Sequence, residues 1–406
     1  MNGQLIDETI PVLNDDPFSL ENLRVPEAFD AKLREAGPLV YLERYGIYAS
    51  GQHAVVEEAF TDYGRFTSSH GTGLKNLAHE HFWRAPTILE MDPPEHTPGR
   101  KVMNRVLGAP NIRKFRENFE QTAEQMVDDL VSRGRFDLAK DLAEAFLLAV
   151  LPDAAGLPQE GRDRFLAISR MNFQSMGPEN ELYFESLKDV GGDADAAMAW
   201  VFDRVRRELV SDGGFGAQLY GYADEGTIPE SQAAIMTGAF IIAGMDTTMY
   251  GIGLALQSLA ERPEQYKLLH ENPELARNAF EESMRFRASS PRIGRTTRDV
   301  PETELAGHRI PALQKFLGFV GAAGRDPRRW ERPDEFDITR VATGHLAFGA
   351  GVHNCVGQMI ARLEAECLIK AFARRVREVR IVGTPIEVTS NWLRGYESVP
   401  IEVVAA

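Results

Sequence analysis

One stretch of this sequence constrains the fold more than any other. From Ala233 to Leu256 the chain is almost continuously apolar, interrupted by the polar triplet Asp246, Thr247 and Thr248. Pro229 precedes the stretch and Pro263 follows it. Proline is tolerated in a first helical turn and stops a helix beyond its end. The interval therefore predicts one helix of roughly 30 residues, about 45–50 Å long at about 1.5 Å per residue. Such a helix either spans a bilayer or runs through the middle of a large core. A charged side chain at a bilayer centre costs roughly 2.5–3.5 kcal/mol on insertion scales, and no Lys/Arg clusters flank the run. The reading is a buried core helix. Asp246 inside it must then be paired or functional, because an isolated buried carboxylate is costly.

The rest of the chain reads as the cover for that helix. A helical segment, Glu27–Ala36, and strand-like pieces at Leu39–Leu42 and Gly46–Ala49 open the chain. Apolar residues recur at helical spacing over Asn118–Arg133, Leu138–Leu151, Arg162–Ser169 and Ala194–Leu209, and helical signals return at Pro273–Phe286 and Ile360–Val379. Short β-branched pieces follow at Val379–Val382, Ile386–Thr389 and Pro400–Val404. The expected fold is mostly α with a minor β part split between the two ends. There is no internal repeat and no Pro/Gly/Ser linker, so residues 1–406 are expected to form a single domain.

Composition removes several functions. With 45 Lys and Arg against 60 Asp and Glu, the net charge is −15. Nucleic-acid binders need a positive footprint, so none is expected as a partner. Two cysteines, Cys355 and Cys367, are too few for a disulfide framework and suit a reducing compartment. The acidic N-terminus lacks an apolar targeting segment. A cytoplasmic protein without a membrane anchor is expected.

The densest chemical signal is Phe348-Gly-Ala-Gly-Val-His-Asn-Cys355-Val-Gly357, with a helical stretch beginning just after it. Glycines permit tight turns that bring backbone N–H groups toward sulfur. A helix N-terminus favours an anion and lowers a thiol pKa. An iron–thiolate centre needs this environment, since hydrogen bonds to the sulfur tune the metal. On the residues alone, a buried cysteine in a glycine-rich loop stays open. A dinucleotide or phosphate loop does not fit, and one local Cys with one His does not make a zinc site. Cys367, on the following helix, reads as packing.

Phe348 to Gly357 resembles the haem-binding signature of the cytochrome P450 family. Three further matches follow the family's arrangement. Glu282 and Arg285 resemble its structural Glu-x-x-Arg pair, Phe336–Arg340 the segment that locks onto that pair, and Ala243-Gly-Met-Asp-Thr-Thr248 its oxygen-activating stretch. The resemblance implies a mostly α triangular prism with haem b held between the central helix and the Cys loop. It implies Cys355 as the iron ligand, with Phe348, Gly349 and Gly357 shaping its loop. It implies Asp246 and Thr247 as an acid–alcohol pair supplying protons for dioxygen activation, with Gly244 loosening the helix there. His96 and Arg100 match a propionate-anchoring His-x-x-x-Arg pair, and Arg295 and His353 match two further anchors. O2 is then a co-substrate, with electrons reaching the haem from NAD(P)H through a separate ferredoxin, flavin reductase or both. Basic residues including Arg105, Arg113 and Arg362 are expected to form the donor's docking face.

Within that family the chain is most similar to bacterial para-methoxybenzoate O-demethylases. The shared stretches are Ser69–Leu74, Trp83–Glu90, Phe173–Leu182 and Arg394–Ser398. The resemblance implies a planar methoxyaromatic substrate, oxidised at the methyl carbon to a hemiacetal that collapses to a phenol and formaldehyde. Arg84 and Thr87 occupy the places of an Arg and a Ser that bind a carboxylate in that subgroup. Ala239 and Ile242 replace two serines, Gly238 an Arg, Met176 a Phe, and Ile293 or Gly294 an aromatic. Leu89, Phe173, Ala243 and Leu393 complete the implied lining. Fewer anion donors favour an apolar tail, as in a 4-alkylguaiacol. A 4-methoxybenzoate-type acid, kept open by Arg84, and a terpene or other apolar molecule are the alternatives. A haem sensor without turnover would have no need of Asp246 and Thr247.

Overall fold

The computed structural model describes residues 7–80 and 86–406. Arg84 and Trp83 lie outside the described residues. Five helices frame the site: α1 (His96–Val106), α2 (Arg162–Gln174), α3 (Glu230–Ala260), α4 (Ala276–Phe286) and α5 (Gln358–Arg375).

The central helix α3 runs 31 residues without a break, N-capped by Pro229. Its apolar residues point in all directions, which is the pattern of a helix buried on every side. It packs against α2, α4, α5 and the helices Ala145–Ala155 and Phe215–Asp224. Although long and apolar enough to cross a membrane, 78% of its most apolar window is buried within the protein. Pro263 acts as the first residue of the next helix, Pro263–Glu271. Gly244 was expected to loosen α3, yet the helix is continuous there. A Cβ at that position would meet Leu151 Cδ2 at 3.1 Å, so close packing of the neighbouring helix explains the glycine.

The β part departs from the sequence expectation. The largest sheet has the spatial order Val12–Leu13, Val40–Leu42, Ile47–Ser50, Lys315–Phe319, Arg292–Thr297, Phe66–Thr67. Two of its strands come from mid-chain, and a hairpin, Glu302–Leu305 with His308–Pro311, lies between them. Arg292-Ile-Gly-Arg-Thr-Thr297 shows no polar/apolar alternation, because nearly every residue in it is buried. The C-terminal strand Pro400–Ala405 pairs with both Val376–Ile381 and Arg135–Asp137. The expected helix at Ile360–Val379 thus ends at Arg375, and Leu138–Glu144 is a π-helix leading into Ala145–Ala155.

A fully buried ion pair fastens α4 to the loop before the cysteine. Arg285 donates to both carboxylate oxygens of Glu282, at 2.7 and 2.8 Å, and both side chains are wholly inaccessible. Its remaining N–H groups reach the carbonyls of Gly324, Pro333 and Glu335. Glu282 in turn accepts from the Asp337 N–H at 3.0 Å and the Arg340 Nε at 3.2 Å. A buried pair holds only when its leftover hydrogen-bonding capacity is met, and here it is. The expected lock between Phe336–Arg340 and the pair is present.

Arg285→Leu strands a buried carboxylate. It is expected to cost about 3–5 kcal/mol, read as a lower urea midpoint. Arg285→Lys, which keeps the charge and loses the forked donors, is expected to fall between the two.

Candidate active site

A cavity of about 320 Å³ lies between α3 and the loop that carries Cys355. The loop is shaped by glycines with left-handed backbones, Gly349 at φ +66° and Gly351 at φ +69°. Gly351 passes so close to another chain segment that a Cβ would stand 2.7 Å from the Phe60 carbonyl. The Cys355 N–H donates to the Phe348 carbonyl at 2.7 Å, closing the turn. The N–H groups of Gly357 and Gln358, at the start of α5, reach the sulfur. Burial nonetheless pushes the thiol up, outweighing those N–H groups and the charges of Arg100 and Arg362. The helix start alone therefore does not give the lowered thiol pKa expected from sequence. A metal cation at the sulfur is the group that would. Cys367 is buried on α5 with its thiol raised to about 12 by burial, as its reading as packing requires.

Four nitrogen-bearing side chains converge on the same cavity: His96 and Arg100 from α1, Arg295 from the main sheet, and His353 from the Cys loop. His96 Nε2 is buried without a hydrogen-bond partner. Burial, His353 and Arg100 lower its pKa to about 4. The two imidazoles lie with centroids 4.6 Å apart, their planes tilted by 57°. Arg295 is 2% exposed, and among the described residues its guanidinium hydrogen-bonds to the Gly294 carbonyl alone, at 2.8 Å. His353 Nε2 contacts Asp92 Oδ1 at 3.2 Å. Arg100 donates to the carbonyl of Asn354 at 2.6 Å and to its side-chain oxygen. A buried guanidinium with no carboxylate on it, beside an orphaned imidazole nitrogen, leaves room for an anionic partner. Haem propionates fit this rim, and the single thiol of the cavity fits iron.

The acid and the alcohol of α3 face different ways. Thr247 lines the cavity, and its hydroxyl donates to the Ala243 carbonyl at 2.7 Å. Asp246 is completely inaccessible, and neither carboxyl oxygen has a hydrogen-bond partner among the described residues. Ser169 lies near enough to temper its titration, but the Ser169 hydroxyl donates to the Ile242 carbonyl at 2.8 Å. Burial raises the Asp246 pKa to about 7, against the pull of Arg170 and Ser169 and with a push from Glu144. Arg170 and Glu144 belong to a second, polar cavity of about 150 Å³, which Lys140, Tyr250, Tyr396 and Glu397 also line.

Around the cavity's other end stand Thr87, Leu89, Phe173, Met176, Ala239, Ile242, Ala243 and Ile293, as expected. Two expected lining residues are corrected. Gly294 packs under the loop at Thr72, where a Cβ would lie 2.7 Å from the Gly73 carbonyl, so Ile293 is the residue facing inward. Leu393 is buried in the core, and its neighbour Trp392 lines the cavity. Thr87 is committed elsewhere. Its hydroxyl donates to Glu90 Oε2 at 2.8 Å and accepts the Leu89 N–H at 3.1 Å, capping the short helix Ile88–Glu90. Sequence reading passed over Asn172 and Glu364, both buried and both lining the cavity. Glu364, on α5, has no hydrogen-bond partner, and burial raises its pKa well above the usual range. Nothing in its local pattern separates it from an ordinary helix-surface acid.

The basic face is smaller than expected. Arg362 pairs with Glu281 and lies over the Phe348 ring at 4.3 Å, so it turns inward. Lys370, Arg374 and Arg375 are paired with Glu274, Glu124 or Asp128. Lys101, Arg105, Arg113 and Lys114 are exposed, and no ion pair joins them to any described residue.

The architecture has been seen before. Cytochrome P450 CYP109Q5 from Chondromyces apiculatus superposes with a TM-score of 0.80 at 26% identity, over 98% of this chain and 100% of that one. That places the fold among haem-thiolate monooxygenases. The family model "Cytochrome P450" matches residues 221–377. Cytochrome p450 CYP199A2 of Rhodopseudomonas palustris is 42% identical over 98% of this chain and 95% of its own length. Cytochrome P450 107B1 of Saccharopolyspora erythraea is 31% identical over 78% and 77%. The chain belongs to the cytochrome P450 family, whose members use haem b, O2 and electrons from NAD(P)H delivered by partner proteins.

A carboxyl group whose pKa is raised on folding, here to about 7 for Asp246, weakens the fold increasingly as pH climbs from its unfolded value of about 3.9. Asparagine does not titrate. The stability advantage of Asp246→Asn is therefore expected to widen between about pH 4 and pH 7 and to level off above, measured by thermal melts across pH.

Proposed function

We propose that residues 1–406 work as one catalytic domain that O-demethylates small methoxyaromatic compounds bearing an apolar tail, with 4-alkylguaiacols favoured. In this reading Cys355 is the thiolate ligand of haem b, and His96, Arg100, Arg295 and His353 hold its propionates. When bound, the haem supplies the oxidising chemistry for insertion of one oxygen atom of O2 into a C–H bond. The chain does the rest. Phe173, Met176 and Ile293 confine a flat ring, and Ala239 and Ile242 leave the α3 wall apolar. Thr247 offers a hydroxyl inside the cavity. Asp246, with a pKa near the working pH, is suited to exchange protons on the far side of the same helix turn. The consumption of O2 needs two protons and two electrons to release water beside the hydroxylated product. A methyl carbon so hydroxylated is a hemiacetal, which breaks to a phenol and formaldehyde.

The observation that carries the apolar-tail reading is the state of Thr87. Its hydroxyl proton is spent on Glu90, so it has none to donate to a substrate carboxylate. The charged nitrogen groups among the described lining residues, Arg100 and Arg295, gather at the propionate rim with His96 and His353. A carboxylate buried without a cationic partner costs several kcal/mol. Electron supply in this reading comes from an acidic ferredoxin or a flavin reductase, docking where Lys101, Arg105, Arg113 and Lys114 stand free. In support, the short helix Ala109–Ile112, just before Arg113 and Lys114, packs on α5, the helix that follows the cysteine loop.

Titration of the ferric holoenzyme, followed at the Soret band, tests the substrate class. 4-Propylguaiacol is expected to drive a tight low-to-high-spin shift and 4-methoxybenzoate a weak one. A tight shift with the benzoate would overturn the apolar-tail reading. Asp246→Asn is expected to lower turnover by on the order of 10²–10⁴ with haem retained. Arg105→Glu with Arg113→Glu is expected to slow reduction by an acidic ferredoxin by on the order of tenfold at low salt, with the difference shrinking as salt is raised.

A further inference from the structure

The methoxyaromatic reading leaves the buried side chain of Asn172 without a task. Asn172 lies on α2 beside Phe173 and one turn before Met176, on the face of the helix turned to the cavity. One turn earlier, Ser169 ties the same helix to the Ile242 carbonyl. Asn172 is 8% exposed. Its side-chain amide has no hydrogen bond to any described residue, although it carries two donors and an acceptor. The neighbouring buried amide behaves otherwise. Asn391 donates to the Gln174 carbonyl at 3.3 Å, to the Pro178 carbonyl at 3.2 Å and to Asn180 Oδ1 at 2.9 Å. The amide is open to the cavity, and a polar group presented there without a protein partner is a place where a ligand can complete the bond.

We propose that Asn172 recognises a phenolic hydroxyl on the substrate ring, adjacent to the methoxy group that reacts. This inference rests on the methoxyaromatic reading and deepens it, by naming the residue that selects the methoxyphenols among aryl methyl ethers. A neutral hydroxyl both gives and takes a hydrogen bond, as an amide does. A carboxylate only accepts, and would set its charge against the amide oxygen. The amide oxygen takes the phenol proton, and the N–H groups are left for the phenol or ether oxygen. Asn172 is thereby a specificity-determining residue, acting on binding and orientation rather than on bond breaking.

The test compares 4-propylguaiacol with 3-propylanisole, the same molecule without its hydroxyl, by spin-shift titration of the holoenzyme. The wild-type protein is expected to bind the guaiacol more tightly by roughly three- to tenfold, the range of one neutral hydrogen bond. Asn172→Leu is expected to erase that preference by weakening the guaiacol alone. Asn172→Ala repeats the measurement should leucine disturb haem loading. A preference that survives in the variants, or parallel weakening of both ligands, overturns the assignment. Equal affinities in the wild-type protein do the same and leave the methoxyaromatic class standing. No shift from either ligand in the wild-type protein overturns that class, and this inference with it.

Discussion

Everything in this structure depends on burying α3 along its whole length. A helix apolar on all sides cannot lie on a surface, so other helices must enclose it. Enclosure turns its polar residues into decisions, because each must find a partner, neutralise or work. Thr247 satisfies itself on the Ala243 carbonyl and still borders the cavity. Asp246 finds no hydrogen bond and is held near neutrality by burial. The Glu282–Arg285 pair performs a complementary task behind the cavity, on α4, whose Phe280 and Met284 line it. It fixes α4 to the loops of residues 324–340 with every donor of the guanidinium engaged.

The same logic explains what could be read from sequence. Proline punctuation and unbroken hydropathy specify α3 locally, so its ends came out within a few residues. The cysteine loop is legible because glycines, cysteine and histidine are packed into ten positions. The mid-chain strands were hidden because burial on both faces removes alternation from Arg292–Thr297. The division between Leu138–Glu144 and Ala145–Ala155 was hidden for another reason, since a π turn and an α turn share nearly the same apolar spacing.

Site residues followed a similar rule. Those carried by a motif, such as Cys355, His96 and Arg100, are named by the family resemblance, and the fold brings them to one cavity. Those defined by which face of a helix meets a cavity were not. Asn172 and Glu364 look like ordinary polar residues in amphipathic segments until the packing of α2 and α5 turns them inward. Arg362 failed in the opposite direction. Its charge reads as surface from sequence, but Glu281 and the Phe348 ring claim it. Charge counts say how many cations exist, and only three-dimensional pairing says how many remain to attract a partner.

The cap at Thr87 sets a condition on how this pocket could change its preference over time. In the described structure the hydroxyl and the Glu90 carboxylate serve each other at the N-terminus of one short helix. Exchange of Thr87 for serine would preserve the cap and add nothing to anion binding, because the replacement hydroxyl would be drawn into the same service. Freeing a hydroxyl at this position takes two steps, one to release it from Glu90 and one to restore the turn it holds, so a single exchange between hydroxyl residues adds no donor here.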